Sequence, residues 1–436
     1  MIKKIKNQSG VALILVMTSL LILTTLVVDF AYSTHVASEV AASQRDRLKA
    51  YYLARSGLNF LKLQLFVEKK LRSQFASMLQ QMQGSGVTSA PLCSQIPLSS
   101  GLLRQVAAGD DPFASKDEPK PEGEDQADKK SAKKKETKSA GANDTFEGLS
   151  HSDSEFLQFD GDFEGNCQTE ETKMNLNLFR VPPAAVPAQG AGATAIPAPV
   201  TAGMQQYEEQ KNFLLALLSQ PQFDFLATED RKKLVNAIAD WVDANDRINE
   251  SPGVEGALEE SEYNGSDIKY KVKNGRFASL QELLLVAGMT DDIFEAMKDS
   301  VTVYGDQKIN LCQATDQTVR AFVLKFVQSS AGAIVLDPKD EQRWTIIATA
   351  LKLICEQANP QPNQVAAAIA TALGQGTEGG AQGLAGRMAS QITTTNRFFR
   401  LEGTGSVNQA TVRIQAVVDT ASSNPTAWKT LYFQVE

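Results

Sequence analysis

The residues with the most chemical content lie in one stretch: Asp240, Trp241, Asp243 and Asp246, then Glu255, Glu259, Glu260, Glu262 and Tyr263. Carboxylates this dense, without histidine or thiolate among them, are hard oxygen donors. They suit calcium better than magnesium, because a flexible loop meets calcium's loose geometry more readily than a strict octahedron. The spacing is not that of an EF-hand. Counted from Asp243, the turn position is Ile248 and the last ligand position is Val254. The same residues also read as a solvated acidic loop, and residue type alone leaves both readings open.

Other chemistry is sparse. The two histidines, His35 and His151, sit in no motif that pairs them with a nucleophile, and neither a G-x-S-x-G nor a P-loop occurs. An envelope-anchored hydrolase therefore lacks support. The formal charge of -8 argues against a general nucleic-acid binder. Residues 283–303 read as a helix-hairpin-helix, but Glu282, Asp291, Asp292, Glu295 and Asp299 surround it, which favours packing over phosphate contact. The four cysteines, Cys93, Cys167, Cys312 and Cys355, form no C-x-x-C, so zinc is not expected. An even number favours disulfides in an oxidising compartment. Cys93 and Cys167 flank one low-complexity insert and suggest a pair, with Cys312–Cys355 as its complement; four unpaired thiols are the alternative.

The elements that must position these groups begin with an uncharged apolar run over residues 11–28, preceded by Lys3, Lys4 and Lys6 and followed by Asp29. Such a run suffices to cross a hydrocarbon core of ~30 Å, with its basic flank kept in the cytoplasm. A cleaved signal peptide is the competitor, but Val28-Asp29-Phe30-Ala31-Tyr32-Ser33 matches a cleavage site poorly. Neither Gly nor Pro interrupts residues 11–56, so one long helix can emerge from the membrane and run on until Gly84 and Gly86. Residues 109–147, rich in Asp, Glu, Lys, Ser and Pro, read as disordered. Order resumes at 156–159 and in the alternating strand pattern of 173–178, before a Pro/Ala/Gly linker over 181–203. A helical region follows over 206–304. Thr228 is positioned to cap one helix, Ser279 with Glu282 suggests a capping box, Gly288 suggests a stop, and Thr290 precedes the next start. Further helices are expected over 318–327, 344–356 and 365–373, a break over 374–383, then three antiparallel strands at 398–403, 411–416 and 430–435.

Ser9-Gly10 followed by Val11-Ala12-Leu13-Ile14-Leu15 resembles the processing site of type IV prepilins and type II secretion pseudopilins. The resemblance implies that prepilin peptidase cuts after Gly10, leaving Val11 as a methylated new N-terminus. The fifth mature residue is Leu15, where most members of the superfamily carry glutamate. That departure resembles the type II secretion minor pseudopilin family general secretion pathway protein K. Asp240-Trp241-Val242-Asp243 and the acidic run ending in Tyr263 resemble this family's calcium-binding segment, although the spacing of the second half is altered. Lys173-Met174-Asn175-Leu176-Asn177-Leu178 and Gln307-Lys308-Ile309-Asn310-Leu311 resemble its asparagine-containing signatures, with Cys312 intruding after the second.

The resemblance implies an α+β, pilin-like fold: a long N-terminal helix on an antiparallel sheet, with a large inserted α-helical domain. On this reading 1–10 is a leader, 11–32 the assembly helix, 33–86 its periplasmic continuation and 87–180 the first part of the pilin-like domain. Residues 204–306 are then the insertion, and 307–436 the remaining helices and strands of the pilin-like domain. Asp240, Asp243, Asp246, Glu259 and Glu262 become candidate ligands for a structural calcium ion, with Glu255 and Glu260 as competitors. The implied role is non-enzymatic: with minor pseudopilins I and J, and in contact with the major pseudopilin, the protein starts and caps the pseudopilus. It would be a single-pass protein of the bacterial inner membrane with its bulk in the periplasm. A minor pilin of a type IV pilus or competence apparatus is the alternative within the superfamily.

Overall fold

A computed structural model of the chain describes residues 9–74, 90–95, 98–108, 159–179, 198–244, 258–259, 263, 270–328, 336–357, 359–375 and 383–436. Helix α1 spans Ser9–Gln74 as one 66-residue element, roughly 100 Å long at 1.5 Å per residue. In its apolar part, Thr18, Ser19, Thr24 and Thr25 turn their hydroxyls onto carbonyls three residues earlier, so no polar group needs an outside partner. The helix begins to bury side chains at Asp46.

From there Ala50, Ala54, Leu58, Leu61 and Leu65 form one face against a five-stranded sheet. Each fully buried leucine contributes about 2 kcal/mol. The sheet comprises β1 (Leu98–Ser99), β2 (Asp162–Thr169), β5 (Phe398–Val407), β6 (Ala410–Asp419) and β7 (Lys429–Val435), in the order β1-β2-β5-β6-β7 and antiparallel throughout. Gly403 and Gly405 let the helix lie close: a Cβ there would stand 2.5 Å from the Ala54 carbonyl oxygen and 2.1 Å from that of Ala50. At the β5–β6 turn, Asn408 adopts φ 53° and its Nδ2 donates to Asp46 Oδ2 at 2.7 Å, tying the hairpin to α1. Short helices α2 (Leu92–Gln95) and α3 (Ser100–Ala108) precede β2, and a disulfide joins Cys93 of α2 to Cys167 of β2 with Cα atoms 5.6 Å apart.

Between β2 and β5 the chain builds a second core. It comprises α4 (Ala198–Leu218), α5 (Thr228–Val242), α6 (Asp291–Met297), α7 (Asp316–Gln328), α8 (Glu341–Cys355), α9 (Pro362–Ala372) and α10 (Leu384–Ser390). Two-residue strands β3 (Met174–Asn175) and β4 (Val301–Thr302) pair in parallel beside it. Among the described residues, this core draws side chains from Met174 to Ile392. Beyond the boundary expected at 306, Phe322, Trp344 and Ile369 share one apolar cluster with Leu214 and Ile238, separate from that of the sheet. Cys312 and Cys355, Cα atoms 5.3 Å apart, are disulfide-bonded against the same core.

Several local expectations shift. The alternating stretch 173–178 forms only a two-residue strand and then a 3-10 turn, because the Asn175 side chain accepts from Asn177 N at 3.0 Å and closes the chain on itself. Helix α4 starts inside the expected linker, at Ala198, where Pro199 occupies the first turn and no amide is required of it. Thr228 is the first residue of α5, not its cap. The capping box at Ser279 does not form: Glu282 instead accepts from Lys273 Nζ and Ala278 N, and residues Leu280–Leu285 make a 3-10 helix. Gly288, at φ 80°, and Thr290, whose hydroxyl accepts from Ile293 N at 3.3 Å, do end that turn and start α6. Helix α10 begins just past the break expected over 374–383, in a stretch for which no element was expected. The expected order at 156–158, the charged insert 109–147 and the end of the first helix near Gly84 lie outside the described residues.

Candidate functional site

Two regions bear on function: the apolar half of α1 and the C-terminal end of α5. In the first, Gly10 and Val11 lie within helical backbone, one turn ahead of Leu15. Leu15 is 65% exposed, and its neighbours Leu20, Leu23 and Leu26 are exposed as well. This is the one helix among the described residues long and apolar enough to cross a membrane. Among the described residues nothing covers its apolar side chains, which leaves them to membrane lipid or other helices.

In the second region, an aromatic cage fixes the end of α5. Trp241 stacks on Phe277 at 6.2 Å and meets Tyr263 at 6.1 Å and Tyr270 at 6.4 Å. Tyr263 Oη accepts from Ala287 N at 3.2 Å, and Gly275 N donates to the Trp241 carbonyl at 3.1 Å. Trp241 thus packs, as its place in the family segment implies. On the other side of the helix end, Asp240 and Asp243 are fully buried, three residues apart. The Tyr207 hydroxyl lies 3.3 Å from Asp243 Oδ2. Burial, followed by the charges of Asp243 and Asp240, raises the Tyr207 pKa far above its ordinary value, so the phenol stays a donor. Lys211, one turn on, lies over the Tyr207 ring at 5.2 Å. Burial pulls its pKa down, while Glu208, Asp240 and Asp243 pull it up.

Glu259 is buried too, so three of the five candidate ligands, Asp240, Asp243 and Glu259, are carboxylates removed from water. That donor chemistry fits a hard cation. Among the described residues, however, no three carboxylates, histidines or cysteines gather into one metal-holding group. Asp246 and Glu262, with the competitors Glu255 and Glu260, lie outside the described residues. The sequence reading missed Tyr207 and Lys211. Their i, i+4 spacing on an amphipathic helix was the available signal.

It also missed the joint between the two cores. Glu170 and Glu171, just after β2, are both buried. Glu170 Oε1 accepts from Arg400 Nε at 2.7 Å, and Glu170 Oε2 bonds the Thr302 hydroxyl. Glu171 accepts from Arg397 N and Phe398 N at 2.7 and 2.8 Å, and from the Thr169 hydroxyl at 2.6 Å. Burial raises the Glu171 pKa against these bonds.

Residues 172–306 match the family model described as "Type II secretion system (T2SS), protein K". That span starts at the joint and contains the aromatic cage and its buried aspartates. No curated protein matches the chain. Among solved structures, the chain is similar to one in "The Crystal Structure of the GspK-GspI-GspJ complex from enterotoxigenic Escherichia coli Type 2 Secretion System", at 14% identity and a TM-score of 0.39 over 64% of this chain and 80% of that one. Over residues 172–306, therefore, the chain is similar to the type II secretion system protein K family.

Proposed function

We propose that the chain is a minor pseudopilin of a type II secretion system that joins minor pseudopilins I and J at the tip of the periplasmic pseudopilus, where the three start the fibre and cap it. One observation supports the placement above others: the side from which the helical core leaves the sheet. Gly161 lies beside Leu53 and Gly165 beside Leu61, so β2 runs in the same direction as α1, away from the apolar segment. The chain exits at Thr169 and returns at Phe398, both at the end of the sheet distal to that segment. A subunit stacked on that end meets the helical core first. Leu15, in addition, offers no carboxylate to a neighbour's N-terminal amine. A terminal subunit needs neither free space above nor that charge.

The supporting processing steps are cleavage after Gly10, methylation at Val11, and anchoring in the inner membrane with the folded part in the periplasm. Asp240 and Asp243, with Asp246, Glu259 and Glu262, would hold calcium. The ion would offset the mutual repulsion of these carboxylates. Removing calcium should expose residues 245–269 to protease without melting the sheet; unchanged cleavage there would count against calcium. The tip assignment is tested by capturing the full-length chain from detergent-solubilised membranes that also contain I and J. Recovery of both partners is expected. Recovery of neither would overturn the assignment.

A further inference from the structure

Strand β7 ends the sheet with one edge bare. Arg413 and Glu436 exchange both backbone bonds, at 3.1 and 2.8 Å. Antiparallel pairing alternates, so the N–H and C=O groups of Phe433 and Val435 face away from β6. Among the described residues nothing pairs with them. Phe433 and Val435 stand opposite Ala416 and Ile414, which places their side chains on the face of the sheet that carries α1. Yet they remain 53% and 44% exposed, because α1 covers β2, β5 and β6 and stops short of β7. Edge strands are ordinarily blunted by charge, proline or a covering element. Here the outward half of the strand is apolar.

The facing wall of this groove is the near flank of α1. Lys69 Nζ donates to the carbonyl of Thr420, just past β6, which fixes that flank. Arg55 and Lys62 precede Lys69 by two and one heptads, so they lie along the same side. Gly403 sits against Ala54 and Leu58, and Gly403, Ile414 and Val435 share one row of the sheet. Arg55 thus lies on the stretch of α1 that packs on Gly403, and Lys62 follows about two turns further on, along the helix flank. Neither cation has an ion pair or side-chain hydrogen bond among the described residues. Lys62 is half-buried, and burial together with Arg55 holds its pKa below the ordinary value. A groove with a bare strand edge, an apolar floor and unpaired cations on one wall fits an extended peptide carrying a carboxylate.

We propose that β7 receives an extended segment of a neighbouring minor pseudopilin, added as a further strand, with a carboxylate of that segment set against Lys62 and Arg55. This rests on the tip reading and specifies the surface through which the tip is joined. The test captures the full-length chain together with I and J from solubilised membranes, comparing wild type with Lys62→Glu and Val435→Pro. The first reverses the charge of the wall. The second removes an outward N–H without touching the bonds to β6. Recovery of one partner should fall by about tenfold or more in each variant, with thermal melting unchanged. Should Val435→Pro lower the melting temperature, Lys62→Glu alone decides. Variants that recover both partners as wild type does would overturn the β7 site while leaving the tip reading in place. Wild type that recovers neither partner would overturn both.

Discussion

Glu170 on the last turn before the helical core and Arg400 on β5 form an ion pair at 2.7 Å, with the carboxylate fully buried. The pair joins two cores that otherwise have separate hydrophobic interiors, and it does so at the end of the sheet from which the insertion leaves.

Removing one member of a buried pair strands the other. Glu170→Ala should therefore cost about 3–5 kcal/mol in denaturant unfolding. A loss below about 1 kcal/mol would show that water reaches Arg400 and that the joint is open.

The disulfide between Cys312 and Cys355 closes a loop with a sequence separation of 43. Cross-linking a loop of this size removes chain entropy from the unfolded state worth about 4 kcal/mol. Substituting both cysteines with serine should lower the stability of the helical core by an amount of that order, read by denaturant titration. The sheet should keep its own midpoint, since Cys93–Cys167 serves it separately.

Lys325 gives a pH dependence of known sign. It is buried, its Nζ donates to Gln391 Oε1 at 2.6 Å, and burial lowers its pKa to about 8 although Glu209 opposes the shift. The folded value lies below the unfolded one, so the unfolded chain binds more protons between them. Wild-type stability attributable to this group therefore rises with pH from about 8 to 10.5 and is lost below about 8. The stability of Lys325→Met relative to wild type should fall by about 3 kcal/mol across that window. A difference independent of pH would contradict the assignment.

The long helix was legible from an apolar run free of Gly and Pro, and the final three strands and the helices at 318–327, 344–356 and 365–373 from their own periods. The insertion's extent was not. Helices α7 to α10 join the core of α4 and α5 through contacts distant in sequence, and helix periodicity does not say which core a helix joins. The strand expected at 173–178 failed for a local reason, since Asn175 prefers to bond its own backbone. Asp240 and Asp243 were legible as a pair of carboxylates, but Tyr207 and Lys211 approach them from a different helix. Glu170 and Glu171 drew no expectation because their partners, Arg397 and Arg400, lie more than two hundred residues away.

Processing is testable at one bond. The mature protein should begin at Val11, read by mass spectrometry of the N-terminal peptide, and Gly10→Val should leave the leader attached. An unprocessed wild-type chain would contradict the assembly role of α1.

The central claim is the position of this subunit in the fibre. The most direct measurement labels the chain with gold on pseudopili sheared from cells, for wild type and for Leu15→Glu. On the proposed tip placement, the helical core at the distal end of the sheet would block stacking whatever residue occupies position 15. Both proteins should thus label one end of each fibre only. Label distributed along the shaft, for wild type or for Leu15→Glu, would contradict the account.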